Sequence, residues 1–480
     1  MKKFVFPFLM ITILASCNSE DVGTSLSGMA DNVKNAMFIL GGPGGSRDTV
    51  QLDESNAFSY DFTELENAAN YYIMSNKETF TLYIAPDMKL DVFFNQTNFL
   101  ESLNFAGEGS DINNYLADKA RAVNLRLDSA DWVQDAESFI EWGLGILKKQ
   151  QDLIAAQIKD NAEDAFWSRE EGEILYTWVG WMGSYAMMYK YYSGGEKPEL
   201  PEDFNSYRDN LDLNKPDYLD SRAFANYLTK AVREESNNKF TKLTEENPEV
   251  AVNKSLLNLE TGVSMLTNEK VRNHFLLTTI TGKMSWQALT ELDEEIAFFK
   301  ENCKDEESIA KFEEQYAAWE KLAQGAQAIE FKGEDLKGNV VNFSDFKGKY
   351  VYVDVWATWC GPCKYEIPFL KKLEADYHDR NIVFLSYSID DDKEAWLNFV
   401  PEKELGGVQI IGEKGWKSAL CLDYKVRGVP TFMFFDPEGK IIDVKMSRPS
   451  SQDTRDAFDS YDDFFKRKDK SIIRTNLSVE

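Results

Sequence analysis

The chain has 480 residues, 43% hydrophobic and 13% aromatic, which is material for about two to four packed domains. Its 81 Asp plus Glu against 53 Lys plus Arg give a formal charge of -28, which argues against nucleic-acid binding, since that needs a basic footprint. Five cysteines are too few for a disulfide-stapled scaffold, and with His274 and His378 the only histidines and no second close cysteine pair, no metal centre is expected.

Lys2 and Lys3 make a positive start, and Phe4 to Leu14 is an apolar run too short to span a bilayer. The run ends in Leu14-Ala15-Ser16-Cys17, and residues 1–17 together resemble a bacterial lipoprotein signal with its lipobox. The resemblance implies cleavage before Cys17 and lipidation of its sulfur, where several acyl chains give a stable membrane anchor. Asn18 in place of Asp after that cysteine implies, by the same likeness, the outer membrane facing the periplasm; Glu20 and Asp21 leave surface display open. No later segment is apolar enough to cross a membrane, so a tethered rather than a spanning chain is expected. Residues 18–35, rich in Ser, Gly and Asp, read as a flexible tether.

Residues 36–107 carry short apolar or alternating runs, such as Thr79 to Ile84 and Leu90 to Phe94, separated by turn residues. This spacing predicts a small all-β, sandwich-like domain. Gly41 to Gly45 lacks the Gly-Lys-Ser/Thr ending of a phosphate loop and reads as a turn. Over residues 108–325 the period becomes helical: Ile174, Trp178, Trp181 and Tyr185 share one helix face, as do Ile309, Phe312, Tyr316 and Trp319. Both stripes read as core, whereas Tyr189, Tyr191 and Tyr192 are candidates for a surface groove. Cys303 reads as a lone thiol. From 326 to 480 strands and helices alternate, the pattern of an α/β domain.

In this last domain a strand, Tyr350 to Val355, runs into Cys360-Gly361-Pro362-Cys363 and then a helix. A cysteine at a helix N-terminus meets unpaired N–H groups and the positive end of the helix dipole, which favour the thiolate that attacks disulfides. Cys360 is therefore read as the attacking thiol and Cys363, one turn on, as the resolving thiol. Pro362 is tolerated in the first turn, where no helical N–H bond is lost.

The segment Val353 to Lys364 resembles the thioredoxin active-site segment, and Glu366 and Pro368 extend it in the manner of the TlpA and ResA families. Tyr424 to Thr431 is similar to the segment that carries the thioredoxin-fold cis-proline. The likeness implies a thioredoxin-like domain, a cis bond between Val429 and Pro430, and a substrate chain pairing beside Val429 and Thr431. Trp359 is expected to shield Cys360 and touch substrate, with Trp356 in the core. Two carboxylates are candidates for the proton acceptor of the resolving thiol: Asp354, where thioredoxins keep a buried Asp, and Glu366, where TlpA and ResA proteins keep a Glu. Cys421 reads as structural.

The expected function is thus an extracytoplasmic thiol-disulfide oxidoreductase, reducing disulfide-containing envelope proteins, with no cofactor and with electrons from a membrane thiol reductase. An oxidase or isomerase working through the same dithiol is the other direction the residues leave open, and two further alternatives differ in kind. One is an envelope-binding lipoprotein in which the redox domain is accessory. The other is a peroxiredoxin-like peroxidase, disfavoured because Ala357 stands where that motif wants Thr or Ser.

Overall fold

The computed structural model describes residues 23–461, apart from Gly44, Gly45, Glu64, Asn124, Arg126, residues 162–164, Val250 and Ala288. The leader, Cys17 and residues 18–22 lie outside the described residues, as do residues 462–480. The chain divides into two compact units, up to Lys230 and from Ala231 on.

Among the described residues the first unit has eight strands: β1 (Thr24–Asp31), β2 (Met37–Gly41), β3 (Arg47–Gln51), β4 (Ala57–Phe62), β5 (Ala69–Ser75), β6 (Glu78–Ile84), β7 (Lys89–Asn95) and β8 (Asn104–Gly107). They form two four-stranded sheets, ordered β4-β1-β7-β8 and β3-β2-β5-β6, around a core that includes Leu26, Phe38, Ile73, Leu82, Val92 and Phe105. The expected tether is corrected here. Residues 24–31 are an inner strand, antiparallel to β4 and parallel to β7. The Ser and Gly content hides an alternation in which Thr24, Leu26 and Ala30 are buried. Gly28 belongs to the strand because a Cβ there would meet the Val92 carbonyl oxygen at 1.8 Å.

Between β7 and β8 lies α1 (Phe99–Ser102), and α2 (Ser110–Ala122) follows the sheets. The Asn113 side chain pairs with both backbone groups of Tyr83, and Asn114 with both of Phe105, which clips α2 to β6 and β8. Next come α3 (Ser129–Trp132), α4 (Ala136–Asn161) and α5 (Ala165–Tyr192). The α5 stripe is core as expected at Ile174, Trp178 and Tyr185, whereas Trp181 is half-buried. Phe139 of α4 stacks on Tyr185 at 4.5 Å. Tyr191 and Tyr192 are exposed.

The boundary between the units falls inside α6 (Arg222–Glu246). The second unit continues with α7 (Lys254–Met265), α8 (Glu269–Met284), α9 (Asp293–Asn302) and α10 (Glu306–Glu320). On α10, Phe312 and Trp319 are buried, while Ile309 and Tyr316 are half-buried. Among the described residues no helix is long and apolar enough to cross a membrane.

The C-terminal sheet has seven strands in the order β10-β9-β13-β12-β11-β14-β15: β9 (Lys332–Asp335), β10 (Val340–Asn342), β11 (Tyr350–Trp356), β12 (Ile382–Ser388), β13 (Val408–Ile411), β14 (Thr431–Phe435) and β15 (Ile441–Met446). Every β11 residue except Asp354 is buried, as befits a strand covered on both faces. It pairs parallel with β12 and antiparallel with β14. Among the described residues four helices accompany this sheet: α11 (Gly361–Asp376), α12 (Lys393–Glu402), α13 (Ala419–Asp423) and α14 (Gln452–Ser460). On one side an aromatic cluster of Tyr352, Tyr377, Phe384, Phe432, Phe434 and Phe458 locks sheet to helices.

Candidate active site

Strand β11 ends at Trp356 and α11 begins at Gly361, so the four residues between them form the turn that carries the first cysteine. That turn is pinned. Thr358 donates from its N–H and its hydroxyl to Asp390, whose other donor is the Ser388 hydroxyl. Cys360 is the N-cap of α11, and the Cys363 N–H donates to its Sγ at 3.1 Å. The two cysteines are joined by a disulfide and are almost fully buried. The sulfur of Cys360 thus takes the place a capping oxygen usually occupies, where an N–H and the helix dipole favour negative charge.

The Val429–Pro430 peptide is cis. Thr431 pairs with Val355, so the turn carrying Pro430 lies at the same end of the sheet as the dithiol. Val429, Pro430 and Thr431 are half-buried, and the Thr431 hydroxyl donates to the Gly428 carbonyl at 2.7 Å. Trp359 is 57% exposed and lies 6.2 Å from the Trp416 ring; Trp356 is buried.

The two candidate carboxylates have different surroundings. Glu366 is buried and its carboxylate is engaged: it accepts from the Ser450 N–H at 3.0 Å and the Ser450 hydroxyl at 2.9 Å, with Arg448 at 3.9 Å. Asp354 instead lines a closed-in cavity of about 10 Å³ together with Cys363. That is near the lower limit for one water molecule. Two buried polar atoms on the same lining, Trp356 Nε1 and Gln409 Oε1, have no hydrogen-bond partner in the protein. Asp354 is half-buried by surface area and lies on the lining of this cavity.

Burial pushes the Asp354 carboxyl up to about 7; the charges of Glu374 and Glu366 add to this, and a hydrogen bond from Ser386 opposes it. Glu374, on the same lining, is likewise pushed up to about 7 by burial, against the pull of Lys371. Sequence reasoning passed over Glu374, although a signal was present. Cys363, Ile367, Leu370 and Glu374 follow one another at i, i+4, i+7 and i+11, so the acid sits on the inward stripe of α11.

Among the described residues the other thiols, Cys303 and Cys421, are buried, and burial raises both above the ordinary thiol value, which keeps them protonated and inert. Among the described residues no cluster of His, Cys, Asp or Glu is arranged to hold a metal ion.

Known proteins share this site region. The redoxin family profile matches residues 323–460. The thiol-disulfide oxidoreductase ResA of a Bacillus cereus strain is 32% identical over 128 residues, 27% of this chain and 72% of that protein. ResA of Bacillus subtilis (strain 168) is 29% identical over 130 residues, 27% of this chain and 70% of that protein. Among solved structures, the thioredoxin domain of a thiol-disulfide oxidoreductase from Bacteroides vulgatus is 34% identical, covering 29% of this chain and 98% of that one, with a TM-score of 0.27. Through its C-terminal domain, which holds the Cys360–Cys363 pair, the chain belongs to the redoxin family and is a thiol-disulfide oxidoreductase.

Proposed function

We propose that this protein is a lipid-anchored, extracytoplasmic reductase of protein disulfides, working through Cys360 and Cys363. The observation that carries the reading is Cys360 as N-cap of α11, bonded to Cys363 and receiving its N–H. In the dithiol form, the Cys360 thiolate attacks one sulfur of a substrate disulfide. A mixed disulfide forms, and the first substrate thiolate leaves and takes a proton. Cys363 then gives its proton to Asp354, attacks Cys360 Sγ and expels the second substrate thiolate, which takes a proton from solvent. The substrate gains two electrons and two protons, and Cys360–Cys363 is left as the disulfide. Glu374, which shares the lining of the water-sized cavity with Asp354, takes that proton onward. Two electrons from a membrane thiol reductase, the donor that the TlpA and ResA likeness implies, restore the dithiol.

The direct test is trapping. Cys363→Ala removes the resolving thiol, so mixed disulfides to envelope proteins are expected to accumulate through Cys360 and to vanish on reduction. Absence of any adduct in cells expressing this variant would contradict a protein-disulfide substrate. The anchor rests on the leader and its lipobox. Cys17→Ser is expected to move the protein from the membrane fraction to the soluble one; unchanged sedimentation with membranes contradicts lipidation at that residue.

A further inference from the structure

Beside the cis-Pro430 turn lies a groove of about 410 Å³ that the C-terminal domain does not build alone. One wall comes from the helices that precede that domain: Trp286, just beyond α8, and Trp319 of α10. Trp286 is 82% exposed, an unusual setting for the largest side chain. The other side is the stretch from Tyr424 to Phe432 with the end of β15. The wall is held in place by Lys445, whose Nζ donates to the carbonyls of Met284 at 2.7 Å and Gln287 at 3.0 Å and lies 4.3 Å from the centre of the Trp319 ring.

The groove's charge is opposite to that of the chain. Lys425, Arg427, Lys445 and Arg448 line it, and no Asp or Glu does, although the protein carries a formal charge of -28. Lys445 faces Asp443 and Glu291, and Arg448 lies 3.9 Å from Glu366, so those two cations are partly compensated. Arg427 is exposed and Lys425 half-buried, within 5.8 Å of the Trp319 ring centre. The result is an aromatic wall with a basic rim, running directly to the Val429–Pro430 turn.

We infer that this groove binds the client polypeptide next to its disulfide, and that it selects an extended segment bearing acidic side chains and an aromatic or apolar residue. This rests on the reading of the protein as a reductase of protein disulfides and names its substrate class. The aromatic or apolar residue packs on Trp286 and Trp319, and the acidic ones meet Lys425 and Arg427. The helical region thereby contributes specificity to a redox site built wholly in the C-terminal domain.

The test uses the full chain and three synthetic peptide disulfides with one tyrosine each and acidic, neutral or basic flanks. All rates are expressed relative to that on the neutral compound bis(2-hydroxyethyl) disulfide. The acidic peptide is expected to be reduced about tenfold faster than the basic one at low salt, with the ratio shrinking as salt is raised. Lys425→Glu combined with Arg427→Glu is expected to invert that order. Trp286→Ala is expected to raise KM for all three peptides relative to kcat. Equal rates on acidic and basic peptides, or an order unmoved by the charge reversal, overturn the groove. If the wild-type chain reduces no disulfide at all, the functional reading fails instead. The groove is then read from tryptophan fluorescence with a cysteine-free acidic peptide, where retained, charge-dependent binding upholds it and absent binding overturns it.

Discussion

Cys360→Ser is expected to lower disulfide reduction by about 10³-fold or more, measured as thiol release from a peptide disulfide by the pre-reduced protein. The reason is structural. Among the described cysteines only Cys360 combines a helix N-cap position with an N–H on its sulfur. Cys303 and Cys421 are buried, with burial holding their thiols protonated, so neither supplies a substitute nucleophile. Cys363→Ala differs in kind. It keeps the first attack, releases one equivalent of thiol and then stalls. A Cys360→Ser variant retaining activity within about tenfold of wild type would place the attacking thiol elsewhere.

Asp354→Asn is expected to stabilise the disulfide form by up to about 4 kcal/mol at pH 8 while changing it little at pH 4. The folded protein pushes this carboxyl from the ordinary 3.8 up to about 7 through burial, so folding favours the protonated form. Below pH 4 the carboxyl is protonated in both states and contributes nothing. As pH rises from 4 to 7 the unfolded chain releases the proton and the folded one keeps it, so stability falls by about 1.4 kcal/mol per pH unit and stays low above 7. Asn has no proton to lose and removes that fall. The same substitution is expected to slow resolution of the mixed disulfide by Cys363, most visibly near neutral pH, where Asp354 is poised to accept a proton. Denaturant titrations of both proteins at pH 4 and pH 8 check the first expectation; parallel pH profiles would contradict it. Glu374→Gln is expected to act in the same direction, because it removes both its own raised carboxyl and the charge that raises Asp354.

The redox centre was legible because local sequence encodes it. Cys-x-x-Cys spacing after a β-branched, aromatic strand points to a helix N-terminus, and the likeness of Tyr424 to Thr431 to the thioredoxin-fold segment implied the cis bond at Pro430; the structure has Cys360 as N-cap and Val429–Pro430 cis. The different surroundings of Asp354 and Glu366 were not legible, because they are built by residues distant in sequence. Ser450, 84 positions away, satisfies Glu366. Glu374 and Gly406 line the cavity of Asp354. Strand β1 was hidden for another reason: Ser25, Ser27 and Gly28 give it a linker's composition, while only Leu26 and Ala30 bring strong apolar signal to its buried face. The groove was equally hidden. Trp319 read as part of a core stripe, which it is, but its neighbours there include Lys425 and Lys445, more than a hundred residues on.

The measurement that tests the central claim most directly is the reduction potential of the Cys360–Cys363 couple, obtained by equilibrating the protein with graded dithiol–disulfide buffers and counting free thiols. A reductase with Gly-Pro between its cysteines predicts a reversible two-electron transition near about -270 mV. A midpoint near about -120 mV would reverse the direction of electron flow, and a pair that does not interconvert would contradict the redox function itself.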